Sequence, residues 1–454
     1  MSKYNLLVIL LCSISSPVLL AQVHGNLPDA PMELQATSAS PAAPSADESL
    51  TREQAEQIAL KNNPRISVAA LIALAQKQVV RETRSGELPS LYGNATGVGA
   101  EEASRLSSGA LSASRLLNHV GAGIELSQLI TDFGRTHNLV ASSSLQAKAA
   151  EQNAEATRED IVFATDLAFY NALEAQATLQ VANSTVQERQ NVGDQVTALT
   201  RSKLKSTLDQ SFAEVNLSQA KLLVLDSQNQ ADAAIASLND LLGTTTSHPY
   251  HLVDDPVVAA PIANSVEAVI ALALQQRPDL KALQLIHNAD VRFSHAKHEQ
   301  LLPTVSAEGA VGATPVGSST YFPQNWYGGA GVNVSIPLFN GFKFHAEAAE
   351  ADLRAKASDE QSRQLTDRIV RDVRTAWLST MTAQQRMSVT SELLKQANTA
   401  LDLAQTRYRL GLSSIVEFSQ AQLQQTQAQI EDANARFEYE ADLATLRFQS
   451  GSQP

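Results

Sequence analysis

A chain of 454 residues has room for two or three ordinary domains or for one long repetitive architecture. Aromatic residues make up only 5% while Ala, Gln, Ser and Leu abound, which suits helices packed through small side chains better than a sandwich core full of rings. A formal net charge of −13 argues against a nucleic-acid binder, which needs a basic footprint; it is compatible with an acidic lumen or a hydrated face, and plain solubility accounts for it more simply than either.

Residues 1–21 read as a signal peptide for export. Lys3 opens a short basic region, the apolar run from Leu6 to Leu11 continues less cleanly to Leu20, and Ala21 offers a small residue for cleavage. The run is short of the ~20 residues needed to span a bilayer. Cys12, the sole cysteine, falls inside this segment, and Leu11 before it is bulkier than lipid-modified sites favour. Cleavage after Ala21 would leave no thiol, hence no disulfide and no Cys-ligated metal. No later stretch reaches ~18 consecutive apolar residues, so an exported chain of this kind is either soluble or crosses a membrane as β-strands.

Residues 22–49 are rich in Pro, Ala and Ser without periodicity and read as a flexible leader. In "LTREQAEQIAL", Thr51 and Gln54 have capping-box spacing and Leu50 is placed as a hydrophobic staple, so a helix begins there. Ser265 precedes "VEAVIALAL" in the same way. Sliding the chain against itself by 214 residues aligns Leu60 with Leu274, Pro64 with Pro278, and Leu88-Pro89 with Leu302-Pro303. Each half thus predicts a short helix, a Pro break, a second helix of about 24 residues and a second Pro break, since the residue before Pro disfavours helical geometry. The domain plan is a structural repeat over 50–243, an inter-repeat linker over 244–264 and a second repeat over 265–454.

After each second Pro the composition turns small and alternating: "LYGNATGVGAE" and "TVSAEGAVGAT", then "HVGAGIELSQLI" and "WYGGAGVNVSIPL". In the last two, Ala122, Ile124, Leu126 and Ala330, Val332, Val334, Ile336 are apolar while Glu125, Ser127, Asn333 and Ser335 are polar. This period of two marks strands with one apolar and one polar face, two per half and four per chain. The connections at 101–118 and 314–325 read as exposed loops. Trp326, Tyr327, Phe339, Phe342 and Phe344 bracket the fourth strand as interfacial aromatics would, an arrangement that soluble sheets share.

From Arg135 and Lys343 each half runs about 65 residues without Pro, to near Leu199 and Leu410, a helix of ~100 Å. Return helices follow over 208–243 and 416–451, stopped by Gly243 and Gly451. A return helix of ~54 Å and the ~36 Å helix between the Pro positions together nearly match the long one. The Pro breaks therefore let two shorter helices lie end to end beside one long helix. Spacings such as Val192, Val196, Leu199 and Leu208, Val215, Leu222 fit coiled-coil packing and any amphipathic core alike. Four strands cannot close a barrel, and an open edge in lipid leaves backbone groups unpaired, so membrane-spanning strands would require several chains to share one barrel. Known single-chain barrels start at ~8 strands, so at least two chains are needed and three would give twelve.

Over residues 50–451 the chain resembles the TolC-like outer-membrane efflux proteins of Gram-negative bacteria. The resemblance rests on "EQIALKNNPRI" and "IALALQQRPDL" opening the halves, and on "ITDFGR" and "PLFNGFK" where strand hands over to long helix. It rests also on "LKSTLDQSFAEVNLSQA" and "RYRLGLSSIVEFSQAQ" at the turns, in this order, spacing and duplication. It implies a mainly α fold with a β-barrel part: duplicated long helical hairpins forming an α-helical barrel, and four β-strands per chain contributing to a shared twelve-stranded transmembrane barrel in a trimer. The implied role is a passive exit duct of a tripartite efflux or type I secretion system. Its implied partners are two further copies, outer-membrane lipid, a periplasmic adaptor protein docking on the hairpin tips and an inner-membrane transporter, with no nucleic acid. The implied location is the outer membrane, with a long periplasmic extension.

Carried over by residue, the resemblance makes Tyr408 and Asp209 a gate latch through a hydroxyl-to-carboxylate hydrogen bond. It places Glu417 and Gln420 at the constriction. Leu204, Lys205, Ser206, Leu208, Arg409, Gly411, Leu412 and Ser413 become the adaptor-contact tips, with Gly411 supplying a tight turn. Two positions depart from the best-known member: Ser413 stands where it has a gate Arg, and Gln420 where it has a second constriction carboxylate. The latch should then carry fewer charged links, and an acidic ring would hold half the charge of a paired one.

No Ser/His/Asp or paired-carboxylate arrangement can be placed by spacing, so no enzyme and no cofactor is expected. "TDFGR" contains an Asp-Phe-Gly without a kinase catalytic loop, and "GGAGVN" leads into a strand rather than a helix. His287, His295 and His298 share a helix without carboxylates on the same face beyond Glu299, and His248 and His251 lie in the linker; a solvated surface is the expectation for both sets. The alternative function is a structural or adhesive trimeric coiled-coil protein at the cell surface, which would use the same helices without needing alternating strand pairs or duplicated tips.

Overall fold

The computed structural model describes residues 49–98, 105–106, 114–115, 119–244, 250–254, 265–313 and 326–452. The expected signal peptide, the leader up to 48, His248, most of the inter-repeat linker and most of the two strand-connecting loops lie outside them.

In the first half β1 (Ser49–Leu50), α1 (Arg52–Asn62) and α2 (Pro64–Ser85) lead into β2 (Ser90–Val98), the short β3 (Arg105–Leu106) and β4 (Ser114–Arg115), and β5 (His119–Thr131). The long α3 (Arg135–Arg201) and its return helix α4 (Thr207–Leu241) follow. The second half repeats the order with β6 (His251–Leu252), α5 (Val266–Gln276), α6 (Pro278–Glu299), β7 (Thr304–Ala313), β8 (Trp326–Ser335), α7 (Lys343–Arg409) and α8 (Ile415–Ser450). Both long helices are 67 residues, ~100 Å of rise. β1 and β6 pair in parallel and so tie the start of one half to that of the other.

The Pro positions act as helix starts. Pro64 and Pro278 each occupy the first turn, where the absent N–H has no intrahelical acceptor to lose. Asn63 ends α1 and caps α2 at once: its side chain accepts from Arg65 N at 3.0 Å and donates to Leu241 O at 2.9 Å. Arg277 holds the matching joint, with its guanidinium on Gln449 Oε1 at 2.7 Å and on Asp279. Each joint thus grips the end of its own return helix, and the two shorter helices are brought end to end beside the long one. At Gly243 a Cβ would stand 2.8 Å from Asn62 O, so the glycine is required by contact as well as by its φ of +68°.

Thr51 makes the expected capping box with Gln54. Ser265 does not cap α5. Its hydroxyl donates instead to Glu267 Oε2 at 2.6 Å, a nearer and charged acceptor. The core runs along the helix seams in three clusters. One gathers Ile161, Phe169, Leu238, Leu242 and Phe437, a second Val269, Leu280, Ile369, Val373 and Leu446, and a third lies at the hairpin tips. Alanines fill much of this interior, which lets the long helices approach closely.

Candidate functional site: the hairpin tips and the sheet

The two tips are built alike. At the end of α3, Leu204 N donates back to Leu199 O and Lys203 N to Thr200 O, both at 2.9 Å, with Lys203 at φ +60°. At the end of α7, Leu412 N reaches Arg407 O at 2.8 Å and Gly411 N reaches Tyr408 O at 3.1 Å, with Gly411 at φ +74°. Both are left-handed stops that satisfy the last helical carbonyls. Ser206 and Ser414 then cap the return helices. Ser206 Oγ accepts from Asp209 N at 3.1 Å, while Asp209 Oδ2 accepts from Ser206 N at 3.0 Å and from its hydroxyl at 2.8 Å.

The expected hydrogen bond between Tyr408 and Asp209 is not formed within the chain. One oxygen of the Asp209 carboxylate is occupied by the α4 cap, where an otherwise orphan N–H needs it. The Tyr408 hydroxyl is buried without a hydrogen-bond partner. Burial first, and the Asp209 charge second, push its pKa up to about 12. What holds Tyr408 is its ring and its carbonyl. The ring stacks on Phe418 at 5.4 Å between centroids, Lys205 Nζ stands 3.8 Å from the ring centroid, and the same Nζ donates to Tyr408 O at 3.3 Å. Val196, Ala213, Ala404, Ile415 and Ala421 complete this cluster.

Of the expected contact residues, Leu204, Leu208 and Leu412 are exposed by 71%, 63% and 67%, and Arg409 and Gly411 are exposed too. Leu410 and Val416 extend the same apolar surface and were absent from the expectation. Lys205 and Ser206 are engaged as described, and the Ser413 hydroxyl is buried. Gln420 is exposed, and Glu417 lies with its Oε1 3.6 Å from Arg407 Nε. Arg407 and Phe418 carry no spacing signal, because each acts across the turn. Higher on the seam Asn216 Nδ2 donates to Ser419 Oγ at 2.7 Å, and buried Arg189 donates to Gln422 O at 2.9 Å and Thr426 Oγ1 at 3.1 Å.

At the other end β2, β5, β7 and β8 form one antiparallel sheet in that order, so among the described residues β2 and β8 each have one free edge. The register puts Leu91, Leu126, Gly309 and Ala330 in one row, and Ile124, Val311 and Gly328 in another, all on one face. Val120, Ile124, Leu126, Val311, Val332 and Val334 are exposed there. The opposite face carries Glu125, Ser127, Glu308 and Asn333, with Ser306 Oγ and Asn333 Nδ2 each 3.3 Å from Glu308 Oε1. Tyr327 lies across Gly123 and Gly312 on this polar face; a Cβ at Gly312 would sit 2.5 Å from its hydroxyl. Trp326, Phe339 and Phe342 are exposed as interfacial aromatics would be. His298 Nε2 is 3.1 Å from Asp352 Oδ2 and His287 Nδ1 is 3.1 Å from Ala355 O, so two of the three histidines have separate partners. Among the described residues no helix is long and apolar enough to cross a membrane.

Among the described residues, two long helical hairpins are joined to one four-stranded sheet with an apolar and a polar face and open edges. The chain belongs to the outer membrane efflux protein family, whose model matches residues 56–244 and 269–452. It is 22% identical over 380 residues to the probable efflux pump outer membrane protein TtgC of Pseudomonas putida, covering 82% of this chain and 76% of the relative. It is equally 22% identical over 407 residues to the outer membrane protein TolC of Escherichia coli, covering 85% and 79%. Among solved structures the CusC channel superposes with a TM-score of 0.79 at 19% identity, covering 88% of this chain and 92% of that one. The chain is therefore a TolC-like outer-membrane protein with a long helical periplasmic part.

Proposed function

We propose that three copies of this chain close their four-stranded sheets into a twelve-stranded barrel and their hairpins into a helical tunnel, forming the passive exit duct of a tripartite efflux or type I secretion system. The observation that carries this reading is the sheet itself. Its apolar face is exposed and its outer strands β2 and β8 have open edges, and in lipid only closure satisfies those backbone groups. Any closed ring of copies pairs β8 of one with β2 of the next, and three copies, the number the family resemblance implies, give twelve strands. The polar face with Glu125 and Glu308 then lines the lumen, and the apolar face meets outer-membrane lipid.

In this reading the leucine-rich tips receive the periplasmic adaptor, and an inner-membrane transporter supplies the energy. The tips also form the closed end. Asp209 sets the start of α4 through Ser206, and Tyr408 is clamped by its ring. Glu417 and Gln420 face the constriction, with Arg407 partly offsetting the Glu417 charge. The efflux-pump names of two relatives in Pseudomonas putida support this role. The experiment is the mass of the detergent-extracted protein by light scattering, paired with single-channel recording. A trimer that inserts and conducts is expected; a water-soluble particle without conductance would overturn the reading.

A further inference from the structure

We propose that Lys205 is the cationic tie between the two hairpin tips, acting as a positioning residue that locks Tyr408 and with it the α7–α8 hairpin against the α3–α4 hairpin. The inference rests on the duct reading for its functional consequence but not for its geometry.

Lys205 lies in the turn between α3 and α4, yet both of its contacts are on α7. Its ammonium donates to the Tyr408 carbonyl at 3.3 Å and stands 3.8 Å from the centroid of the Tyr408 ring. Three attractions converge on one atom. The carbonyl, which also accepts from Gly411 N at 3.1 Å, lies in the last turn of α7, where the helix dipole is negative. The ring face adds its quadrupole, stronger here because Tyr408 is only 5% exposed. Among the described residues no carboxylate lies within ion-pair distance of this ammonium, so its charge is spent on α7. Asp209, in the first turn of α4, gives its Oδ2 to Ser206.

The cations of α7 itself do not fill this role. Arg407 turns to Glu417, and Arg409 Nη2 reaches only Thr406 Oγ1 at 3.4 Å. Ser413 brings no charge at all, and its hydroxyl is buried without a partner. The positive charge that bridges the hairpins is therefore supplied from the opposite hairpin. Its delivery depends on the left-handed Lys203, which ends α3 so that the chain at 204–206 crosses toward α7. The other links along the seam, Asn216 to Ser419 and Arg189 to Gln422 and Thr426, lie further from the turns. Lys205 is the link nearest the tip, and Phe418, stacked on Tyr408, passes the restraint on to α8.

The test is single-channel conductance in planar bilayers of the full chain, with hydrogen exchange of the peptide over 404–418 measured on the same samples. Lys205→Met keeps the length of the side chain and removes its charge; Lys205→Arg keeps the charge. Lys205→Met is expected to raise closed-state conductance at least about threefold and to speed exchange over 404–418 about tenfold. Lys205→Arg is expected to remain within about 1.5-fold of wild type on both. Lys205→Met added to Tyr408→Leu should have a smaller effect than in the wild type, since the ring contact is already gone and only the bond to the backbone carbonyl remains to be lost. A conducting wild type with an indistinguishable Lys205→Met variant would overturn the proposal, as would Lys205→Arg behaving like Lys205→Met. A wild type that does not conduct would overturn the duct reading alone. Exchange then decides the tie: faster in Met and not in Arg upholds it, and equal rates remove it.

Discussion

Asp209 and Glu417 occupy the same place in the two return helices, three residues after a capping serine and 208 residues apart, yet their carboxylates are held differently. Asp209 closes a reciprocal box with Ser206, whereas Glu417 gives only its N–H to Ser414 and extends its carboxylate toward Arg407. Asp209 is one methylene too short to leave its cap; Glu417 is long enough to cross the turn. One tip is thereby fixed locally and the other is tied through charge.

Removing the box should loosen the first tip. Asp209→Ala is expected to cost about 1 kcal/mol at the start of α4 and to raise closed-state conductance. Ser206→Ala should reproduce both effects, because the two residues share one cap. An unchanged closed state in Asp209→Ala bilayer recordings would remove Asp209 from the gate, and a leak confined to Asp209→Ala would give its carboxylate a role beyond capping.

Tyr408 should work through its ring. Its hydroxyl is buried and unpartnered, so Tyr408→Phe is expected to leave conductance unchanged and stability equal or slightly higher. Tyr408→Leu loses the Phe418 stack and the Lys205 contact and should leak. A leaky Phe variant would show instead that the hydroxyl bonds a group in a neighbouring copy.

Ion selectivity at the closed end should depend on Arg407. The pair with Glu417 is about half exposed, so its contribution to stability is small. Its effect on the lumen charge is not. Arg407→Gln should leave melting unchanged and increase the preference for cations, read as a shift in reversal potential under a salt gradient.

Stability should fall as pH rises through neutrality. Burial, then the charges of Glu155 and Asp279, raise the Glu159 carboxyl to about 7, with Arg277 opposing. The folded chain therefore keeps a proton that the unfolded chain releases near the ordinary value of 4.5. The stabilisation is full below that value and is lost as pH climbs toward 7. Asp166, buried beside Glu56 and opposed by Arg52, titrates with the same sign. Glu159→Gln should reduce the slope of melting temperature between pH 5 and 8 without abolishing it; an unaltered slope would place the dependence elsewhere.

The sheet offers a sharp steric test. At Gly312 a Cβ would meet Tyr327 Cζ at 2.6 Å and the Ala122 carbonyl at 2.7 Å, and the backbone cannot retreat. Gly312→Ala should cost about 1–3 kcal/mol and lower the yield of heat-modifiable folded protein in outer membranes. Gly329→Ala, with nothing within 4 Å, is the matched control.

What the sequence determined by itself was local. Alternation in "HVGAGIELSQLI", the Pro-free runs after Arg135 and Lys343, Gly411 at its turn and the Thr51 box were legible because each depends on residues at most a few positions apart. The duplicated motifs added the family. Pro64 and Pro278 were legible as the break before a second helix; what grips each joint was not, since Asn63 and Arg277 bond Leu241 and Gln449, far along the chain. Tertiary structure alone decided the partners across the tips: that Lys205 covers Tyr408 and that Arg407 faces Glu417. Spacing on one helix carries no record of such pairs. They follow from how two hairpins, each set by its own local signals, come to lie side by side, and that placement is fixed by close packing of small residues along seams of some 100 Å.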